Sequence, residues 1–426
     1  MLQVRTIREQ TDLVKAGLKK RGYDQAAIDS VDEVIRLDDQ RKASQTSLDA
    51  LLSEIKKTSD SIGGLFKSGK VDEANAMKEK VAALKGDAEP LEVSLKSAVD
   101  GIREILFKLP NTPHDKVPDG LSEDDNVVIK DWDGALPDLH DAAIPHWELA
   151  TKYNIIDFKL GVKIAGAGFP LYRGKGARFQ RALINFFLDE AREAGYEEIL
   201  PPHLVNEDSG IGTGSLPDKE GQMYHMEKDN LYLIPTAEVP VTNIVRNVIL
   251  KESDFPIQFC AYTPCFRREA GSYGSDVKGL NRVHQFDKVE IVQVQHPDKS
   301  HETLDQMVAY VEGILNKLGL PYRILRLCAG DLTFASALTY DFEVYSAAQD
   351  KWLEVSSVSN FETFQTNRMK CRFKDANGKT QLAHTLNGSA LALARIVASL
   401  LENYQTPEGI EVPEVLRSYT GFDMID

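Results

Sequence analysis

Ala74, Met77, Val81, Leu84, Ala88, Leu91, Leu95, Ala98, Ile102 and Ile105 follow one another at alternating steps of three and four residues. A seam of this kind is a heptad repeat, and a chain that keeps it so long folds as a helix with one stripe packed on a second helix. The preceding stretch supplies the partner. Leu48, Leu52, Ile55 and Ile62 repeat the pattern more weakly, and a polar stretch, Asp38–Thr46, interrupts it. Gly63-Gly64-Leu65-Phe66-Lys67-Ser68-Gly69 reads as the turn between them. After a short helical start in residues 1–30, helices over 31–62 and 71–107 therefore predict an antiparallel hairpin. A helix of that length extends roughly 48 Å. So narrow a seam covers only one stripe, so the hairpin is expected to project. Gly86 and Pro90 fall inside the second helix, where proline removes one backbone hydrogen bond and its ring meets the carbonyl of residue 86. Because the seam keeps its phase across them, a kink is expected there and not a helix end.

Pro110, Pro113 and Pro118 follow in a polar setting that reads as a linker. The expected division is an arm over residues 1–108 and a globular domain over 109–426. In the latter, helical stretches (Ala177–Gly195, Ala237–Leu250, Ser300–Leu318, Ser389–Asn403) mix with strands (Phe259–Phe266, Asp287–Val294, Trp352–Ser359) without strict βαβ alternation. An α+β fold with an antiparallel sheet fits this pattern. Neither G-x-x-x-x-G-K-[ST] nor a strand–G-x-G-x-x-G–helix unit occurs, which disfavours the common nucleotide folds.

Composition bounds the rest. With 426 residues, 42% of them hydrophobic, the chain can bury a large core. The apolar run Leu391–Leu401 is broken by Arg395 and is too short to span a membrane. Arg5, Arg8, Glu9 and Asp12 interrupt any secretory segment, so the expected location is the cytoplasm. A net charge of −15 argues against a general nucleic-acid binder but permits a local basic patch. Cys260, Cys265, Cys328 and Cys371 make no disulfide framework. No second Cys/His pair follows Cys260 and Cys265 at finger-like spacing, so no zinc is expected there.

The chemistry concentrates in one stretch. Cys265-Phe266-Arg267-Arg268-Glu269 ends a predicted strand. Gly271, Ser272, Tyr273, Gly274, Ser275 and Gly279 make a loop, and a second strand begins with Arg282-Val283-His284-Gln285-Phe286-Asp287-Lys288-Val289-Glu290. Arginine forks suit phosphates, and an aromatic face suits a purine. A solvated hairpin with incidental ion pairs would use the same residue types. Phe266-Arg267-x-Glu269, a loop and Arg282-x-x-x-Phe286 resemble motif 2 of the class II aminoacyl-tRNA synthetases. Gly195-Tyr196-Glu197-Glu198-Ile199-Leu200-Pro201-Pro202 looks like motif 1, and Gly388-Ser389-Ala390-Leu391-Ala392-Leu393-Ala394-Arg395 like motif 3. Within that class, Leu233–Glu238, Glu354–Asn360 and His384–Ser389 resemble signature loops of the seryl branch. The N-terminal hairpin resembles that of bacterial-type seryl-tRNA synthetases.

The resemblance covers essentially the whole chain and implies a two-step ligase. Serine and ATP give seryl-adenylate and pyrophosphate, and the seryl group then moves to tRNA(Ser), and by family resemblance to tRNA(Sec). It implies that Arg267 grips the α-phosphate and the serine carboxylate and that Phe286 and Arg395 sandwich the adenine. Glu269 would accept from the adenine amino group and Arg282 reach the terminal phosphates. Arg268 and Ser356 join the ATP site, and the backbones of Val283 and Val355 line it. Glu354 and Ser357 would hold Mg2+ with the phosphates. Thr236, Ala237, Glu238, Arg267, Glu290, Asn387 and Ser389 would form the serine pocket. Glu238 and Glu290 are both open as partners of the amine or of the hydroxyl. A site built to pair a hydroxyl rejects alanine by about 10⁴-fold, because its own polar groups would stay unpaired. Motif 1 implies a homodimer.

Three positions depart from the family pattern: Arg268, Ser275 and Asn281, all in motif 2, whose loop normally touches the tRNA acceptor end. Thr366-Asn367 beside Arg368 departs as well, in a stretch read as periphery. The hairpin implies a tRNA partner, recognised by shape and backbone. Its lysines Lys56, Lys57, Lys67, Lys70, Lys78, Lys80 and Lys85 are balanced by as many acids within residues 53–90. Two rivals stand beside this reading. A relative that loads a carrier protein would lack the hairpin. An inactive coiled-coil scaffold would not need Arg267, Glu269, Glu290, Glu354 and Arg395.

Overall fold

Asp24 starts the long hairpin. In the computed structural model, which describes residues 1–218, 221–269 and 278–426, its carboxylate accepts from Ala27 N at 2.9 Å and caps helix α3 (Gln25–Lys67). Two short helices precede it, α1 (Val4–Glu9) and α2 (Thr11–Lys20), and α4 (Val71–Lys108) returns along it. Helix α3 runs through Gly63 and Gly64, which the sequence assigned to the turn. Each glycine costs about 1 kcal/mol in a helix, but Ile62 and Leu65 beside them remain half-buried and keep the stripe going. The turn is instead Ser68–Lys70, closed by Gly69 at φ +77° and by Lys70 N donating to Leu65 O at 3.0 Å. Helix α4 continues unbroken past Pro90. Gly86 and Pro90 are exposed, so the carbonyl freed by the proline faces water.

The polar stretch of the first helix has a structural cause. Asp38, buried, is met by Arg8 at 3.2 Å, Arg41 at 2.8 Å and Lys42 at 2.9 Å. Burial pushes its carboxyl up, and the hydrogen bonds from Lys42 and Arg41 outweigh that and hold it below the usual range. Nearly two turns on, Ser44 and Ser94 hydroxyls pair at 3.0 Å across the seam, with Gln40 donating to Ser94 at 3.1 Å. A polar layer in an apolar seam fixes register.

The chain divides into two compact units, Leu2–Pro110 and Asn111–Asp426, the latter with Met1. In the second, an eight-stranded sheet is built from β1 (Val127–Lys130), β2 (Glu197–Glu198), β3 (Ile257–Phe266), β4 (Gln285–Gln295), β5 (Tyr322–Arg326), β6 (Leu338–Ser346), β7 (Lys351–Glu362) and β8 (His384–Ala392). Their spatial order is β1-β5-β6-β7-β8-β4-β3-β2. All neighbours are antiparallel except β2, which joins β3 in parallel. The helices α5 (His146–Lys152), α6 (Gly174–Glu193), α7 (Ser300–Lys317) and α8 (Leu393–Asn403) supply much of the main core. Phe179, Leu183 and Phe187 of α6, Leu304 and Val311 of α7, and Ile396 and Leu400 of α8 cluster with Val289 and Ile291 of β4. Successive strand residues face opposite ways. The other face of β4 therefore carries Phe286, Lys288, Glu290 and Val292.

Two expected helices are shorter than the sequence suggested. Over Ala237–Leu250 only Glu238–Thr242 is α-helical, followed by a single 3-10 turn, Asn243–Val245. Pro240 and the β-branched residues around it disfavour continuation, Asn247 turns the chain at φ +60°, and Ile249–Lys251 pairs with Arg372–Lys374 as a strand. Over Ser389–Asn403 the helix begins only at Leu393, because Ser389 and Ala392 pair with Glu290 and Lys288 of β4. That later start keeps Ser389 on the sheet and puts Arg395 in the first turn of α8.

Candidate active site

The polar face of β4 forms the floor of a site. Lys288 and Glu290 are two residues apart, so their side chains share that face. Lys288 Nζ lies 2.5 Å from Glu290 Oε2 and donates to Thr236 Oγ1 at 2.8 Å. From the neighbouring strand, Ser389 Oγ lies 3.4 Å from Glu290 Oε2. All four residues are buried. Glu238 starts the short helix beside them. Its Oε1 accepts from Gln365 Nε2 at 2.6 Å, and its backbone N–H donates to Thr236 Oγ1 at 3.2 Å. Burial, reinforced by the charge of Glu290, pushes the Glu238 carboxyl up to about 7, against smaller opposing effects of Gln365, Lys288 and Asn387. Ala237 is fully buried in a small apolar cluster under this helix. Thr236, Ala237, Glu238, Glu290, Asn387 and Ser389, drawn from three separate stretches of sequence, thus gather in one place.

Arg267 stands at the end of β3. Its Nε donates to Pro235 O at 3.3 Å, which ties it to the Thr236–Glu238 segment, and its guanidinium lies 5.3 Å from the Phe286 ring. Its backbone is clamped as well: its N–H donates to His284 O at 2.9 Å, and His284 Nδ1 lies 3.0 Å from its carbonyl oxygen. Glu269, at φ +48°, meets Arg282 at 3.2 Å. Arg268 points elsewhere. Its guanidinium is 5.7 Å from the Tyr224 ring and its N–H donates to Gln222 O at 2.8 Å. Residues 270–277, and with them Gly271–Ser275 of the motif 2 loop, lie outside the described residues. Asn281 does not: its amide donates to Gln349 Oε1 at 2.8 Å.

Arg395 closes the other side. Nε donates to Asn281 O at 2.9 Å and Nη1 to Glu354 O at 2.7 Å, with the Glu354 carboxylate 3.6 Å away. Ser357 Oγ donates to Asp341 Oδ1 at 2.6 Å. Burial and the Glu354 charge push the Asp341 carboxyl well above the usual range. Ser356, one residue earlier, faces the opposite way and spends its hydroxyl on Ser389 O at 2.6 Å. The Val283 and Val355 side chains are buried in the main core, which leaves only their backbones for the site.

Sequence reasoning missed Lys288, Gln365, Asp341 and His284. Lys288 was readable, since a period of two from Glu290 lands on it. Asp341 and Gln365 carried no local signal, because only the pairing of β6 with β7 and the placement of the Phe364–Met369 helix bring them in. Arg368, read as periphery, is buried and donates to Ile211 O at 3.1 Å and Leu216 O at 3.0 Å.

The four cysteines are buried free thiols. Cys260 and Cys265 are five apart on β3 and face opposite sides of the sheet, so they cannot share an ion. One group with metal-ligand spacing occurs among the described residues, His114, His301 and Glu362, away from this site. There Lys116 N–H donates to His114 Nδ1 at 3.2 Å. The ring proton is therefore on Nε2, so in this arrangement neither ring nitrogen of His114 has a free lone pair for an ion.

An antiparallel sheet with a phosphate-suited arginine, a stacking aromatic and a helix-borne second arginine defines a class II synthetase catalytic core. In agreement, residues 223–404 match the tRNA synthetase class II core domain (G, H, P, S and T), and residues 1–113 match the seryl-tRNA synthetase N-terminal domain. The chain is 49% identical over 427 residues to the serine–tRNA ligase of Salinibacter ruber, covering 100% of this chain and 99% of that one. The crystal structure of seryl-tRNA synthetase from Pyrococcus horikoshii complexed with ATP superposes with a TM-score of 0.90 at 34% identity, covering 100% of this chain and 99% of that one. The cytoplasmic serine–tRNA ligase of Naegleria fowleri in complex with AMP gives 0.87 at 26% identity, with the same coverage. The chain belongs to the seryl-tRNA synthetase family.

Proposed function

We propose that the chain activates L-serine with ATP and transfers the seryl group to tRNA(Ser), with both steps at the face of β4 described above. The observation that carries the amino-acid assignment is the pair of carboxylates, Glu238 and Glu290, flanked by the Thr236 and Ser389 hydroxyls and adjoining Arg267. Serine brings an ammonium and a hydroxyl, and two carboxylates supply charge-assisted acceptors for both. Arg267 adds a cation where the serine carboxylate and the α-phosphate meet.

In the first step a serine carboxylate oxygen attacks the α-phosphorus, a new P–O bond forms and pyrophosphate leaves. In the second, a hydroxyl of the terminal ribose attacks the seryl carbonyl and AMP leaves. Phosphoryl transfer of this kind needs alignment and charge neutralisation. Arg267 serves the α-phosphate, and Arg282, held by Glu269, the terminal phosphates. Phe286 and Arg395 take the two faces of the adenine, with Glu269 at its amino group. The backbones of Val283 and Val355 line the nucleotide. Arg268 and Ser356 border the site through their main chains, since their side chains are engaged elsewhere.

Mg2+ is proposed with ATP. The donors fit: Glu354, Ser357 and Asp341 present oxygen atoms together, and burial with the Glu354 charge raises the Asp341 carboxyl, an effect a bound cation would offset. Bound there, the ion would neutralise phosphate charge. By family resemblance we also propose tRNA(Sec) as a second acceptor, the helical hairpin as the tRNA-binding element, a cytoplasmic location and a homodimer through motif 1, where Leu200 is 84% exposed. No helix among the described residues is long and apolar enough to cross a membrane.

The test is ATP–pyrophosphate exchange with each amino acid, followed by charging of tRNA. Serine-dependent exchange with charging is expected. Exchange without charging would favour loading of a carrier protein, and no exchange would favour a scaffold.

A further inference from the structure

The guanidinium of Arg395 is aimed by a carbonyl, Asn281 O, that belongs to the returning strand of motif 2. Two contacts hold that carbonyl in place. Leu280 N–H donates to His146 Nε2 at 2.9 Å, and the Asn281 amide donates to Gln349 Oε1 at 2.8 Å. Both contacts lead to the same carboxylate. Glu402 Oε1 lies 2.7 Å from His146 Nδ1 and accepts from His146 N at 2.9 Å and from Gln349 Nε2 at 3.1 Å. Glu402 Oε2 accepts from Ser346. The His146 and Glu402 side chains are both 0% exposed.

The chemistry of this dyad is defined by its partners. Because Nε2 accepts a backbone N–H, the ring proton resides on Nδ1 and is donated to Glu402. The imidazole is neutral, and Glu402 fixes its tautomer. Burial pushes the Glu402 carboxyl up, and the hydrogen bonds from His146 and Ser346 overcome this and keep it below the usual range. Arg395 and Glu402 are seven residues apart on α8, two helical turns, so they lie on one side of it. The helix that supplies Arg395 thus also supplies the carboxylate that closes a ring: Arg395, Asn281, Gln349, Glu402. Gly279 fits the same device. Its φ is +65°, and a Cβ there would sit 2.2 Å from His146 Nε2. A buried charge is costly and adds little net stability over an apolar replacement. Here it orders three segments distant in sequence around one arginine.

We propose that His146 and Glu402 are positioning residues for the nucleotide. They hold the backbone of Leu280–Arg282, and through it the guanidinium groups of Arg395 and Arg282, without touching ATP. The proposal rests on the reading of Arg395 and Arg282 as ATP ligands. It also accounts for Asn281, whose polar side chain departs from the family pattern and here reaches Gln349.

Serine-dependent ATP–pyrophosphate exchange on the full chain tests it. Gln349→Met and Glu402→Gln should raise the KM for ATP by about ten-fold or more, since a small misplacement of a binding group costs that much, while the serine KM stays within about two-fold. Gln349→Met removes only the partly exposed link, so it carries the test if Glu402→Gln does not fold. His146→Gln, which keeps an acceptor near Leu280 N–H, should recover most of the ATP affinity that His146→Leu loses. Equal changes in both KM values, or a lowered melting temperature with an unchanged ATP KM, would overturn the proposal. Arg395→Ala separates the two levels. If it leaves the ATP KM unchanged, the reading of the ATP site fails. If it raises the ATP KM while Gln349→Met and Glu402→Gln do not, only the positioning role fails.

Discussion

Lys288 and Glu290 face the same way on one strand, and their charged groups meet at 2.5 Å with both residues buried. Glu238 adds a second carboxylate to that face, and Arg267 stands at its edge, tied to Pro235 O at 3.3 Å.

The first consequence concerns Lys288. Lys288→Met should lower unfolding stability by about 3 kcal/mol, the cost of leaving a buried charge without its partner. Urea denaturation measures this. Serine should then stabilise the variant more than the parent protein, because its ammonium supplies the missing charge.

A second expectation follows from Glu238, whose carboxyl is raised from 4.5 to about 7. Below that pH the free protein holds it protonated. Donors from serine favour the ionised form, so binding releases a proton and weakens as pH falls below about 7. The serine KM should rise by up to about ten-fold for each further pH unit. Glu238→Gln should bind serine more weakly but with a flat profile between pH 6 and 8. The stability consequence has the opposite sense. A raised carboxyl favours the fold while protonated, so the stability of the parent relative to Glu238→Gln should decline as pH rises from 4.5 to about 7.

Asp341 gives a third. Asp341→Asn keeps the acceptor for Ser357 and removes a negative charge. The Mg2+ concentration giving half-maximal exchange should rise several-fold while the serine KM stays constant. An unchanged magnesium response would remove Asp341 from the proposed ion site.

The hairpin yields a fourth. Deleting Ser47–Leu91 cuts the two helices just beyond the Ser44–Ser94 contact, where the two hydroxyls meet across the seam at 3.0 Å. Serine-dependent exchange should persist nearly intact and tRNA charging should be lost. An equal fall in both would make the hairpin part of the catalytic fold.

What was legible in the sequence was local and periodic. The alternating steps from Ala74 to Ile105 declared a helix pair, and all these positions except Met77 are half-buried or buried in the structure while most of those between them are exposed. The same regularity misled at Gly63-Gly64, where propensity argued for a turn and seam contacts prevailed. At Ala237–Leu250 it failed the other way: spacing suggested a helix, and pairing with Arg372–Lys374 made its end a strand.

Period and turn residues act over a few positions of chain, and they specify the two-helix hairpin, the antiparallel character of the large domain and the stretches that carry its chemistry. Which groups face one another is set by the packing of distant segments. Glu290 and Ser389 meet across 99 positions and Gln365 and Glu238 across 127. The buried carboxylate of Glu402, the raised carboxyl of Glu238 and the neutral tautomer of His146 follow from such meetings. Desolvation and charge act through space, and spacing along a chain does not encode them.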